Sequence, residues 1–311
     1  MRLDALATAA SLLVLAGALG GCGLGAGEER DGGAELRVTR DFGKRVVSTD
    51  KVAKVREDQT VMRLLRAEND VKTRYGGRFV QSISGIEGGG AGGFADWFFY
   101  VNGLESDVGA AEYEVSPGDV VQWDYRNWRR TMDIRAIVGA FPEPFVSGIE
   151  GKRFPVRVEC ESDDSRACRT VNRVLRDHGV PASSAALGVS GSRNVLRVVV
   201  ARWQRARELP SARRIEQGPR KSGVFARFRN GGRSLDLLDE GGRVARTAPA
   251  GSGLVAAIEP GDKQLFWLVT GVDEAGVERA ARALDRRTLR DAFAVAVGPG
   301  EREKLPLGSG G

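Results

Sequence analysis

The stretch from Trp97 to Tyr125 limits the fold more than any other part of the chain. It holds seven aromatic residues in two short β-prone runs, each bounded by a turn dipeptide, Asn102-Gly103 and Pro117-Gly118. Successive side chains of a strand point to opposite faces, so Trp97 and Phe99 fall on one side and Phe98 and Tyr100 on the other. A small sheet needs one face for its own core, which leaves the second for a neighbour or a ligand. Strand parity and closeness to the turns select Trp97, Phe99, Tyr100, Asn102, Trp123 and Tyr125 as candidate ligand-binding residues, although each taken singly also suits an ordinary core position.

The segments before this run fit the same small module. Leu36 and Val38, then Arg45 to Ser48, alternate as one or two strands. Asp58 can cap a helix whose apolar face is Val61, Met62, Leu64 and Leu65, ending before Asn69. A Gly76-Gly77 turn leads to a strand from Arg78 to Ile83. The glycine run Gly85–Gly93 is read as a hairpin loop, because a phosphate cradle would require a following helix and an aromatic strand follows instead. Met132, Ile134, Ala136 and Val138 alternate as a closing strand.

Prolines and glycines between 140 and 152 mark a linker, after which strands alternate with helices. A strand at Phe154–Cys160, a helix carrying Ala167, Val171, Val174 and Leu175, and a strand at Val195–Ala201 open a layered α/β domain. Leu265–Thr270, a helix capped by Asp273 and Phe293–Val297 repeat that order. The expected organisation is a signal peptide at 1–21, a flexible tether at 22–34, a β-rich module at 35–139, a linker at 140–152, an α/β domain at 153–298 and a disordered tail at 299–311. The overall class is α+β.

The N-terminus indicates the compartment. Arg2 precedes an apolar run from Ala5 to Leu19, the length of a secretory core and too short to span as a mature helix. The run ends in Leu19-Gly20-Gly21-Cys22, which resembles the lipobox of bacterial lipoproteins, and that resemblance implies a lipidated Cys22 on the outer face of the cell membrane. Cys160 and Cys168 then remain as an even pair in an oxidising compartment, which points to a disulfide.

Taken together, Val61–Leu65, Gly77–Gly85, Phe99–Gly103, Gly109–Tyr113 and Gly118–Trp123 resemble the transcobalamin-like C-terminal domain family, over Leu36 to Val138. The resemblance implies a β-grasp-like module. In vertebrate relatives this domain closes over cobalamin, whereas many bacterial members are exported proteins without an established ligand.

Other chemistries find little support. The net charge of +6 comes mostly from Arg dispersed along the chain, without an aromatic-interleaved basic cluster, so a nucleic-acid partner is not expected. One His and one spare Cys pair make zinc a poor fit, and no metal or resident cofactor is expected. His178 precedes Gly179 at a helix end, a structural position. Ser48-x-x-Lys51 lacks the companion motifs of penicillin-binding enzymes, and no acid, base or nucleophile set marks an enzyme. The expected function is a lipid-anchored extracytoplasmic ligand-binding protein, for a cobalamin-like ligand, with the membrane and a transporter or other envelope component as partners. The alternative is a protein- or glycan-binding envelope module.

Overall fold

The computed structural model describes residues 28–189, 194–261 and 264–308. The expected signal peptide, Cys22 and the start of the tether, residues 22–27, lie outside the described residues. Among the described residues no helix is long and apolar enough to cross a membrane. The class is α+β.

The first lobe is built on a five-stranded sheet of order β2-β1-β8-β6-β7. Its members are β1 (Glu29–Arg40), β2 (Arg45–Arg56), β6 (Ala95–Val101), β7 (Leu104–Glu105) and β8 (Val120–Asn127). Strand β1 runs parallel to β8 in the middle of the sheet and antiparallel to β2. Helix α1 (Val61–Glu68) lays Val61, Met62, Leu64 and Leu65 on one face, against Leu36, Val38, Trp97, Val121 and Trp123. Its cap is Thr60, whose hydroxyl accepts from the Arg63 amide at 3.2 Å. Asp58, expected to cap, instead pairs with the Arg63 side chain. A second, three-stranded sheet joins β3 (Val71–Arg74), β4 (Phe79–Ile83) and β5 (Ile86–Glu87). The glycine run makes the single turn α2 (Gly90–Gly93), with left-handed backbone at Ala91 and Gly92.

The second lobe carries a seven-stranded sheet of order β10-β9-β11-β16-β15-β17-β18. These strands are β9 (Val156–Cys160), β10 (Ala182–Ala186), β11 (Leu196–Arg202), β15 (Gly253–Ile258), β16 (Phe266–Gly271), β17 (Ala294–Gly298) and β18 (Glu301–Leu305). The first four in the order are mutually parallel, and the remainder pair antiparallel. Helices α3 (Arg166–Asp177) and α7 (Glu274–Arg282) cover one face. The other is covered by α4 (Trp203–Ala206), α5 (Pro210–Arg213) and β12 (Ala226–Arg229), β13 (Ser234–Leu238) and β14 (Val244–Ala248). Both faces being buried explains the unbroken apolar runs Val198–Ala201 and Leu254–Ile258. The short α6 (Pro219–Ser222) and α8 (Arg286–Leu289) complete the lobe.

A hairpin recurs between the lobes. Arg74–Arg78 and Arg229–Arg233 both read Arg-x-Gly-Gly-Arg, with Gly76 at φ 69, ψ 24 and Gly231 at φ 65, ψ 26. The same left-handed backbone requirement selects the same glycines in each lobe.

Three expectations about the ends and the joint are corrected. Residues 29–34, expected as tether, extend β1, and residues 301–305, expected as disordered tail, form edge strand β18. Its charged residues are held by Arg246, which pairs with Glu301 at 3.2 Å and Glu303 at 2.6 Å. The expected linker at 140–152 is a buried wedge: Phe141 and Phe145 pack against Trp267 at 5.9 and 5.0 Å, and Phe141 also meets His178. A turn of β1–β2 adds a second wedge. Phe42, only 1% exposed, stands edge-on to Phe225 and Phe293 at 5.3 and 5.4 Å, inside the second lobe's core.

The expected disulfide joins Cys160 to Cys168, tying the end of β9 to the first turn of α3. Removing it by Cys160→Ser with Cys168→Ser is expected to cost about 2–3 kcal/mol through the loop entropy of the unfolded chain. Calorimetry checks this; an unchanged melting temperature in the double variant would contradict it.

Candidate functional site

The six residues selected from the sequence do not form a ligand-binding wall. Trp97, Phe99 and Val101 of β6, with Val121, Trp123 and Tyr125 of β8, all face α1. Register then pairs Phe99 with Trp123 and Trp97 with Tyr125, with ring centroids 5.1 and 5.2 Å apart. Trp97 and Trp123 are buried, and Phe99 and Tyr125 half-buried. The Trp97 indole donates to the Ile86 carbonyl at 3.1 Å and the Tyr125 hydroxyl to that of Glu87 at 2.9 Å. Tyr100 is fully buried on the opposite face, against Phe293. Asn102 is spent on the turn: its amide donates to Asp119 and to the Gly148 carbonyl at 2.7 and 2.8 Å, and its oxygen accepts from the Val120 amide at 2.9 Å. The rings therefore hold two strands and two lobes together, and the sheet's second face meets the second lobe.

That second face is polar along its centre. Arg37, Thr39, Gln122, Asp124 and Arg126 are all buried there. Asp124 accepts from Thr39 at 2.8 Å and from the Phe42 and Gly43 amides at 3.0 and 2.8 Å, clamping the turn that carries the Phe42 wedge. Gly43 sits at φ +74, and an added Cβ would lie 1.7 Å from the Asp291 carbonyl oxygen, so only glycine fits this approach. Arg126 lies 3.7 Å from the Phe98 ring and donates to the carbonyls of Thr131 and Met132.

At one end of this joint lies a cavity of about 330 Å³, lined from β1, β2, the turn before β8, the buried wedge and the α8 region. Its centre is Glu35. Arg37 donates to one Glu35 oxygen and Arg290 to the other, each at 2.9 Å. Burial alone would raise this carboxyl, but the hydrogen bonds and charges of the two arginines hold it below the usual range. Arg37 also donates to the Gly139 carbonyl at 2.8 Å and pairs with Asp291 at 3.4 Å. Lys51 and Arg286 line the same cavity with no ion pair among the described residues, and the carboxyls of Asp119 and Glu143 line it too, Glu143 under the charge of Arg286. Val52, Val120, Phe141 and Pro142 supply an apolar wall. A site of this kind accepts a small molecule with an anionic head and an apolar body.

Several carboxyls around the joint are held towards the neutral form. Burial pushes Asp124 up to about 7 against its hydrogen bonds, and Asp119 up to about 6. Burial also pushes Glu105 up to about 7, against the charges of Arg126 and Arg135. An acid whose pKa rises on folding holds its proton more tightly in the folded state. Its stabilising contribution is complete below the ordinary carboxylate range and is lost as pH rises through about 6–7. The melting temperature is thus expected to fall between pH 5 and 8. Glu105→Gln, neutral throughout, should raise it at pH 8 and flatten the slope; an unaltered slope would contradict the assignment.

Elsewhere, Cys160, Asp163 and Cys168 come within 4.8 Å, a spacing that could suit a metal. The sulfurs are joined to each other and offer no thiolate, so the trio does not fit one. A second cavity of about 330 Å³ lies beyond β9 and β11, near Ser165 and Glu274, where Glu161 and Arg202 neutralise each other.

The family comparison concerns the first lobe. Residues 58–127 match the family described as a domain of unknown function, DUF4430. The match runs from the approach to α1 to the end of β8. No curated protein matches the chain. A solved structure from Ruminococcus gnavus, described as a candidate metal-binding protein, is similar at 15% identity, covering 31% of this chain and 97% of that one with a TM-score of 0.24. A likeness of that size carries no functional argument.

Proposed function

We propose that this protein is a lipid-anchored, extracytoplasmic binding protein that holds a small organic anion in the cavity at the joint of its lobes. The observation that carries this reading is the pair of exposed cations, Lys51 and Arg286, neither in an ion pair among the described residues, beside an arginine pair that already grips the Glu35 carboxylate. Glu35 serves as an internal example of the group these arginines accept. Anchorage rests on the Leu19–Cys22 motif, and a β-grasp-like description of the first lobe on the central parallel β1–β8 pair with α1 across one face. A binder without catalytic machinery would pass its ligand to a transporter or another envelope component. The corrinoid reading loses its aromatic wall to the interior, and a cavity of about 330 Å³ is at the small end for a ligand site.

A second reading, a protein- or glycan-binding module, is favoured by one observation. Tyr75 and Phe79 stand 79% and 43% exposed on the β3–β4 hairpin, their rings 6.2 Å apart. A thermal-shift screen separates the two. Citrate, succinate and longer monocarboxylates are the probes, with cobalamin and cobinamide alongside. A bound ligand at about 100 times its dissociation constant adds about 2.7 kcal/mol of stability. The proposal expects a rise with at least one organic anion, abolished by Lys51→Ala with Arg286→Ala, and none with either corrinoid. A rise with a corrinoid alone, or no rise with any probe, would overturn it.

A further inference from the structure

A separate cavity of about 460 Å³ opens on another part of the seam between the lobes, lined by Asp133 and Arg135 on one side and by Arg214, Arg220 and Lys221 on the other. Its charges sort into two groups. Arg135 is committed: it pairs with Asp107 at 2.6 Å and with Glu259 at 3.2 Å. Glu259, buried, is in turn spent on Arg135 and on the Gly261 amide at 2.9 Å. Arg214 donates its Nε to the Lys221 carbonyl at 3.1 Å, which fixes its guanidinium beside the loop without consuming its charge. Arg220 and Lys221 are exposed, and among the described residues neither has an ion-pair partner. Among the described residues, three cations thus face the cavity against one carboxylate outside an ion pair, Asp133.

Arg220 and Lys221 stand on the single turn α6, which is tied down by hydrogen bonds. The Ser222 hydroxyl, buried, donates to the Gly218 carbonyl at 3.0 Å, and the Gly223 amide to that of Pro219 at 2.8 Å. At Gly223 the backbone adopts φ +71 and passes so close to Ile134 that an added Cβ would lie 3.2 Å from its side chain. Lys221 and Arg220 are therefore held at a fixed place against the first lobe, so their side chains converge without the cost of ordering a mobile loop.

From this geometry we infer that the cavity is a binding site for a phosphoryl group carried on a larger polar molecule. Two arginine forks and an ammonium suit tetrahedral oxyanions. Among the described residues the lining supplies no aromatic or large aliphatic side chain for an apolar body, unlike the cavity around Glu35. The space exceeds what a bare phosphate requires, which points to a sugar- or glycerol-borne group. Because the cations are open to solvent, binding is sensitive to salt. This site shares no lining residue with the cavity around Glu35, so either can fail alone.

The test is isothermal titration of the full chain at low ionic strength with inorganic phosphate, glycerol 3-phosphate and glycerophosphoglycerol. Saturable binding that weakens at least tenfold in Arg220→Ala with Lys221→Ala is the expected result, with Lys72→Ala, a distant surface cation, binding as the parent does. Preference for glycerophosphoglycerol names a phosphodiester of a lipid headgroup or polymer as the source; preference for glycerol 3-phosphate names a soluble monoester. Both replaced side chains are exposed, and a circular dichroism spectrum matching the parent's confirms that the variant is folded. No saturable binding to any of the three, or binding that survives the double replacement in folded protein, overturns the inference.

Discussion

Phe42→Ala is expected to destabilise the protein by about 3–5 kcal/mol, the range for emptying a buried phenyl site. The effect should differ in kind from that of a typical core truncation. Phe42 belongs to a turn of the first lobe, yet its ring is packed by Phe225 and Phe293 of the second. Its loss leaves a void at the joint while each lobe keeps its own remaining core. The turn itself stays clamped, because Asp124 holds the amides of residues 42 and 43 whatever the side chain. Calorimetry should show the melting transition lowered by roughly 6–20 °C, at about 2–4 °C per kcal/mol, and broadened or split as the lobes unfold separately. A single transition at the parent's temperature would show that Phe42 does not couple them.

Glu159→Gln is expected to cost about 3 kcal/mol. The Glu159 side chain is fully buried and receives both Nε and Nη2 of Arg197 at 2.7 Å, with Arg157 at 3.1 Å. Burial alone would raise this carboxyl, but Arg197 and its neighbours hold it below the ordinary range, so its contribution is present at neutral pH and lost as pH falls through the lowered value. An amide removes the charge and turns a second donor towards two arginines. Breaking a buried pair from one side costs about 3–5 kcal/mol, and the partial exposure of both arginines places this case at the lower end. Glu159→Leu with both Arg157→Met and Arg197→Met should recover much of the loss, since the arrangement then carries no stranded charge. Urea midpoints measure both; a Glu159→Gln midpoint equal to the parent's would contradict the account.

Local patterns in the sequence carried well into the structure. The apolar face of α1 is the one expected from Val61, Met62, Leu64 and Leu65, and the even pair of cysteines forms the expected Cys160–Cys168 bridge. Period-two alternation placed Trp97, Trp123 and Tyr125 on one side of their sheet. What alternation could not supply was the identity of whatever covers each side. The second face of that sheet meets residues more than 160 positions away, as the bonds from Gln122 to Asp291 and from Arg37 to Asp291 show. The Asp41–Lys44 turn gave one signal that could have been used: an aromatic residue at a hairpin tip, where a polar one is ordinary, has a buried place to go. Strand β18 was missed because its residues are charged, which is how an edge strand avoids pairing with another chain. Strand β10 is small and polar, Ala182–Ala186, with little β preference of its own. Nor were the cavity cations legible together, since Lys51 and Arg286 lie at opposite ends of the sequence and meet only when the wedge at 140–152 is buried.

The proposed binding of an organic anion in the joint cavity rests on Lys51 and Arg286. Isothermal titration of the parent and of Lys51→Ala with Arg286→Ala, against the carboxylate giving the largest thermal shift, tests it most directly. One saturable site is expected in the parent and at least a tenfold weaker one in the variant, with the melting temperature of the ligand-free variant close to the parent's. Equal affinity in the two proteins would contradict it.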